Sequence, residues 1–103
     1  MVHRSTLAAL TAYTGDEFAI FTGNNKKILV HGSKKWIISG ELWHTIRDNK
    51  YIWEAHSHPT FMGKIIPSEE DIQTLSLFTW QRKSSIVDLK GRVNEFTHQD
   101  KIL

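Results

Sequence analysis

The chain contains no cysteine, only two prolines and six glycines, and no long apolar run. Without cysteine there can be no disulfide scaffold, no cysteine nucleophile and no thiolate metal site. No apolar stretch approaches the roughly 20 residues of a membrane span. Residues 4–15 lack the continuous apolar core of a signal peptide. We therefore expect a soluble, cytoplasmic protein with no membrane partner.

The composition is that of an ordinary globular domain. The 103 residues are 40% hydrophobic and 23% charged, which argues against intrinsic disorder. This length fits one compact domain, which we assign to residues 1–103. The formal net charge is only +2, and the basic residues come in short pairs rather than in a run. We therefore expect no nucleic-acid partner.

Hydrophobic periodicity predicts alternating helices and hairpins. Leu7, Leu10 and Tyr13 recur at helical spacing, so residues 5–13 are predicted to form a helix that ends at Gly15. Further elements are predicted as a hairpin (17–21 and 27–31), a strand at 36–38, a short helix capped by Ser39, a central strand (51–56), a helix beginning at Ser68 and a closing hairpin (85–88 and 92–96). This order is typical of an α+β, or mixed α/β, fold.

The most informative stretch is His56-Ser57-His58-Pro59, followed after a loop by Pro67-Ser68-Glu69-Glu70-Asp71. Histidines at i and i+2 of a strand point to the same face, so both imidazoles can converge on one ion. Asp71 lies one turn into the next helix, where its carboxylate can reach back toward the strand end. This nitrogen and oxygen donor set suits zinc. Three protein ligands leave one position open, as in catalytic zinc sites.

Each half of the pattern also has an ordinary explanation. A lone His-x-His is usually not a metal site. Ser68-x-x-Asp71 is a variant of the capping box, in which Ser68 bonds a backbone N–H and the helix dipole favours Asp71. The two halves together, with Pro59 and Pro67, form a joint pattern that chance rarely produces. The capping role of Ser68 does not exclude a functional one.

These motifs resemble the signature of the JAMM/MPN+ zinc metallopeptidases, also called JAB domains. That signature is an upstream Glu, then His-x-His-Pro, a loop and Ser-x-x-Asp, and the match is closest to compact bacterial, phage and RadC-type members. Residues 15–23 also resemble the family's first strand, and the closing hairpin lies where the family has one. The resemblance implies a single MPN/JAB-like domain with a central, mostly antiparallel sheet flanked by helices, a cytidine-deaminase-like architecture.

The resemblance also implies a role for each matching residue. His56, His58 and Asp71 would bind Zn²⁺, Glu17 would be the general base, and Ser68 would donate a hydrogen bond to the oxyanion. The implied activity is that of a hydrolase, a metallopeptidase or isopeptidase. Its substrate would be a protein or peptide, such as a ubiquitin-like or other extended C-terminal tail added as a strand to a sheet edge. The loop from Thr60 to Pro67 is longer than the family's, which could reshape the substrate groove.

The general base has rival candidates. Glu54 precedes His56 by two residues, so strand geometry alone places it on the histidine face and favours it. Glu41 is a further acid. We prefer Glu17 because the family carries this acid on a separate strand near the N-terminus. The remaining histidines (His3, His31, His44 and His98) have no converging spacing, and the tryptophans are expected mainly in the core.

Two functions of other classes stay open at this point. A RadC-like protein associated with DNA would bind DNA with a steep dependence on salt. A catalytically silent MPN scaffold or interaction domain would keep the fold without the activity. Such scaffolds typically lack ligands, whereas here every position of the motif is filled.

Overall fold

A computed structural model describes residues 4–32, 40–58, 67–97 and 99 of the chain. These ranges contain three helices and five strands. In chain order the elements are α1 (Arg4–Thr14), β1 (Phe18–Gly23), β2 (Lys26–His31), α2 (Gly40–Asp48), β3 (Ile52–Ser57), α3 (Glu69–Leu77), β4 (Lys83–Val87) and β5 (Val93–Thr97). The mixed α+β class is confirmed. The predicted strand at 36–38, the cap Ser39 and the loop residues 60–66 lie outside the described residues.

The strands form one sheet in the order β2-β1-β3-β4-β5, so β3 is central as predicted. All neighbouring pairs are antiparallel except β3 and β4, which are parallel. Parallel neighbours need a crossover connection, and α3 lies in it. The backbone N–H of His58 donates to the carbonyl of Val87 at 2.9 Å, which extends the β3–β4 pairing past the end of β3.

Asparagines make the tight turn between β1 and β2. Gly23 pairs with Lys26, which leaves Asn24 and Asn25 as a two-residue loop. Both asparagines have positive φ, 51° and 61°. A type I′ turn requires this conformation at both central residues, and asparagine tolerates it better than most residues. The predicted first hairpin is therefore confirmed.

Helices cover both faces of the sheet. On one face, Leu7 and Ala8 of α1 pack with buried residues of β1, β3 and β4. On the other face, α2 and α3 contribute Ile46 and Leu75 to a larger aromatic cluster. The predicted first helix is confirmed, although Tyr13, one of the three residues at helical spacing, is 91% exposed. No helix within the described residues is long and apolar enough to cross a membrane.

A β-bulge interrupts the pairing of β1 with β3. Ile20 pairs with Ala55 while Phe21 pairs with Trp53, so Glu54 is an extra residue on β3. A bulge breaks the alternation of side chains along a strand. As a result, Trp53 and His56 stack on each other although they are three residues apart. Glu54 instead accepts a hydrogen bond from Thr22 at 2.9 Å.

Candidate metal centre

Three chain segments meet at the carboxyl end of the central strand. His56 is a residue of β3, and His58 follows the end of that strand. Asp71 is the third residue of α3, the helix in the crossover from β3 to β4. Glu17 immediately precedes β1, the antiparallel neighbour of β3. Because the strand pairing brings these ends together, residues up to 54 positions apart in the sequence can share one site.

The donor atoms of the predicted zinc ligands form a small triangle. The Nε2 atoms of His56 and His58 lie 3.0 Å apart. Asp71 contacts His56 through Oδ1 and His58 through Oδ2, each at 3.0 Å. Zinc bonds of 2.0 to 2.2 Å in a tetrahedron require donor separations of about 3.3 to 3.6 Å. The two imidazole nitrogens lie a few tenths of an ångström closer than that, and Asp71 presents a carboxylate oxygen to each, so this donor set suits an ion such as zinc after a small separation.

The N-terminal cap of α3 orients Asp71. The backbone N–H of Asp71 donates to Ser68 Oγ at 3.1 Å, and the backbone N–H of Ser68 donates to Asp71 Oδ2 at 2.9 Å. This reciprocal pair is the capping box that the sequence predicts. Because Asp71 is only 4% exposed and held from its own helix, its carboxylate faces the histidines in a fixed orientation.

Glu17 also lies at this cluster. It offers a carboxylate oxygen that lies within 4.8 Å of a ring nitrogen of His56 and of His58. Two hydrogen bonds fix the backbone at Glu17. The N–H of Gly32 donates to the Glu17 carbonyl at 2.9 Å. The N–H of the next residue, Phe18, donates to Ser57 Oγ at 2.9 Å. Ser57 separates the two histidines in sequence, so one buried hydroxyl ties the Glu17 segment to the histidine strand.

The two rival acids lie elsewhere. The expectation that Glu54 shares the histidine face is wrong, because the bulge directs its carboxylate to Thr22 and to Lys27, 3.3 Å away. Glu41 lies in the first turn of α2 with an exposed side chain. Of these three candidate bases, Glu17 is the acid that the structure brings to the histidines.

Burial and the charges within the cluster shift the pKa values of its three side chains in different directions. Burial lowers the pKa of His56 below its ordinary value, against the hydrogen bond and charge of Asp71. For His58 burial acts in the same direction, but Asp71 and the charge of Glu17 outweigh it and raise the pKa. Burial alone would raise the pKa of Asp71, yet hydrogen bonds and charge from both histidines hold it well below its usual range. The carboxylate is thus anionic at neutral pH.

The other described histidines have separate partners. His31 contacts Asp16 at 2.8 Å and stacks on Phe18, with ring centroids 4.4 Å apart. His44 contacts Arg47 at 3.0 Å. Both are exposed and lie outside the cluster, which agrees with their lack of converging spacing in the sequence. His3 and His98 lie outside the described residues.

Sequence reasoning missed the aromatic surroundings of His56. The indole of Trp53 stacks on its ring, with centroids 4.7 Å apart and planes 22° apart. Phe96 meets the same ring edge-on, with centroids 5.8 Å apart. Regular alternation along β3 would place Trp53 on the opposite face from His56. The sequence therefore carries no pattern from which this contact could have been predicted.

No model of a known protein family matches the chain, and no curated protein matches it. Membership of the JAMM/MPN+ family and the MPN/JAB-like architecture therefore stay predictions, which rest on the motif and on the geometry above.

Proposed function

We propose that the protein is a zinc-dependent amide hydrolase, a metallopeptidase or isopeptidase of the JAMM type. The observation that carries this proposal is the 3.0 Å triangle of His56, His58 and Asp71 donor atoms, with the carboxylate of Glu17 beside it. Three protein ligands would leave the fourth position of a tetrahedral zinc ion open for water or substrate.

A bound zinc ion would activate water as the nucleophile and polarise the scissile carbonyl. Glu17 takes a proton from the attacking water and delivers it to the leaving amine. Glu17 immediately precedes β1, on a separate chain segment from the proposed ligands in β3 and α3, so it can act beside them. The hydroxyl of Ser68 accepts the Asp71 N–H through a lone pair, so its hydrogen can donate to the developing oxyanion.

The proposed substrate is a protein or peptide with an extended tail, such as the C-terminus of a ubiquitin-like protein. An extended chain can bind by pairing with an edge strand of a sheet. Within the described residues, β2 and β5 are the outer strands of the sheet. β2 pairs with β1, whose N-terminal end lies next to Glu17, so a strand added to β2 would lie two strand spacings from the strand that carries the proposed base.

Metal content is the first test. Purified wild-type protein, dialysed against metal-free buffer and analysed by elemental mass spectrometry, should carry about one zinc per chain. His58→Ala should carry none, because it removes a donor of the triangle. Wild-type protein that holds no zinc, and takes none up when it is added, would contradict the proposal.

Catalysis is tested with two matched variants. Glu17→Gln should reduce hydrolysis of ubiquitin-like fusions and extended peptides by about 10²-fold or more while zinc stays bound. Glu54→Gln makes the same chemical change on the opposite face and should retain wild-type activity. If Glu17→Gln keeps its activity, or loses its zinc, the role assigned to Glu17 is wrong.

A further inference from the structure

His56 is enclosed by aromatic rings on the face of the sheet covered by α2 and α3. Trp53 lies against the face of its imidazole and Phe96 against its edge. Trp53 and Phe96 also meet each other edge-on, with centroids 5.7 Å apart. Trp53 and His56 are fully buried, and Phe96 is 1% exposed. This packing restricts the orientations that the imidazole can adopt.

The backbone of Trp53 is in turn held in place by side chains. Its N–H donates to Gln81 Oε1 at 2.8 Å, and its carbonyl accepts from Gln81 Nε2 at 3.1 Å. Ser84 Oγ donates to the same carbonyl at 2.7 Å. The pairing of β3 with β4 begins at His56 and does not include Trp53. At Trp53, the side-chain amide of Gln81 makes the hydrogen bonds that the backbone of a neighbouring strand would otherwise make. The bulge and these bonds fix the indole beneath the imidazole.

We propose that Trp53 is a positioning residue of the metal centre, which holds the His56 ring so that Nε2 points at His58 and Asp71. This inference rests on the proposed zinc site. The torsion that rotates a histidine ring is broad, so a ring without packed neighbours samples many orientations. Stacking on a buried indole removes that freedom before the metal binds. Residues that orient a ligand in this way affect metal affinity although they do not touch the metal.

The test compares metal affinity among tryptophan and phenylalanine variants. Zinc affinity is measured by competition with a chromophoric chelator, and ligand geometry by the visible spectrum of the cobalt-substituted protein. Trp53→Leu should weaken zinc binding about 10- to 100-fold and change the cobalt spectrum. Trp53→Phe keeps a stacking ring and should restore most of the affinity. Trp43→Leu is the matched control, because Trp43 packs in the same cluster against Phe78 and Trp80.

The outcomes separate this inference from the proposed function. If wild-type protein binds neither zinc nor cobalt, the proposed function fails and the inference fails with it. If wild-type protein binds metal and Trp53→Leu matches the Trp43→Leu control in affinity and cobalt spectrum, only the inference is overturned. Should Trp53→Leu not fold, Trp53→Met decides in its place, since it also removes the ring that stacks on His56. Unchanged affinity and spectrum in that variant would also overturn the inference.

Discussion

Replacing Gln81 by alanine tests whether a single side-chain amide completes the central strand. The amide accepts from Trp53 N–H and donates to two carbonyls, those of Trp53 and Lys83. Trp53 is fully buried, whereas Gln81 is only half-buried and Lys83 is exposed. The variant would therefore remove the acceptor of the buried Trp53 N–H and one of two donors to the Trp53 carbonyl, which keeps its bond from Ser84 Oγ.

The expected loss of stability follows from these bonds. A net contribution of about 1 kcal/mol for each of the two bonds to Trp53 gives about 2 kcal/mol. The bond to the exposed Lys83 carbonyl adds little, because water can replace it. For a domain of this size, 1 kcal/mol corresponds to a shift of about 4 to 8 °C in Tm. Gln81→Ala should therefore lower Tm by about 8 to 16 °C.

Thermal unfolding of metal-free protein, followed by circular dichroism, measures this loss. Gln73→Ala is the matched control, because Gln73 lies on the exposed side of α3, where alanine is a favourable helical residue. A Gln81→Ala variant as stable as this control would refute the idea that the amide stands in for a strand residue. Gln81→Glu keeps the acceptor for Trp53 N–H but loses both donors, so it should also be destabilised at neutral pH.

Two further predictions concern charge and metal. Burial alone would raise the pKa of Asp88, but hydrogen bonds and charge from Arg92 and the N–H of Lys90 lower it. Wild-type protein should therefore have its largest free energy of unfolding relative to Asp88→Asn at pH values above the ordinary carboxyl pKa. This difference should disappear as the pH falls through the lower pKa of Asp88 in the folded protein. Urea unfolding across acid pH measures this, and a constant difference would contradict it. Zinc at 100 times its Kd should stabilise wild-type protein by about 2.7 kcal/mol. It should leave the Tm of His58→Ala unchanged, and an equal shift in both proteins would argue against binding at this site.

Features set by local interactions could be predicted from the sequence. Asn24 and Asn25 suit the positive φ of a two-residue turn whatever surrounds them. Ser68 and Asp71 cap a helix through bonds within four residues. The proximity of His56 and His58 follows from their spacing, because both lie on one side of the same strand end. Each of these predictions needed only neighbouring residues.

Features set by pairing between distant segments could not be predicted. The bulge depends on how β1 aligns with β3, and a single strand sequence does not encode that register. Its effect is large, because it moves Glu54 away from the histidines and brings Trp53 to them. The exposure of Tyr13 is a similar case, since it depends on where α1 lies over the sheet rather than on helical periodicity alone.

The capping box and the proposed metal site can share the carboxylate of Asp71 without competing for it. An ionised carboxylate offers about four acceptor positions. Three described contacts use Asp71: Ser68 N–H and His58 meet Oδ2, and His56 meets Oδ1. A cation would take the place of imidazole hydrogens, while the Ser68 N–H bond can persist. The cap can therefore hold Asp71 in one orientation with or without a metal. For this reason the same Ser-x-x-Asp sequence is compatible both with a helix cap and with the proposed ligand role.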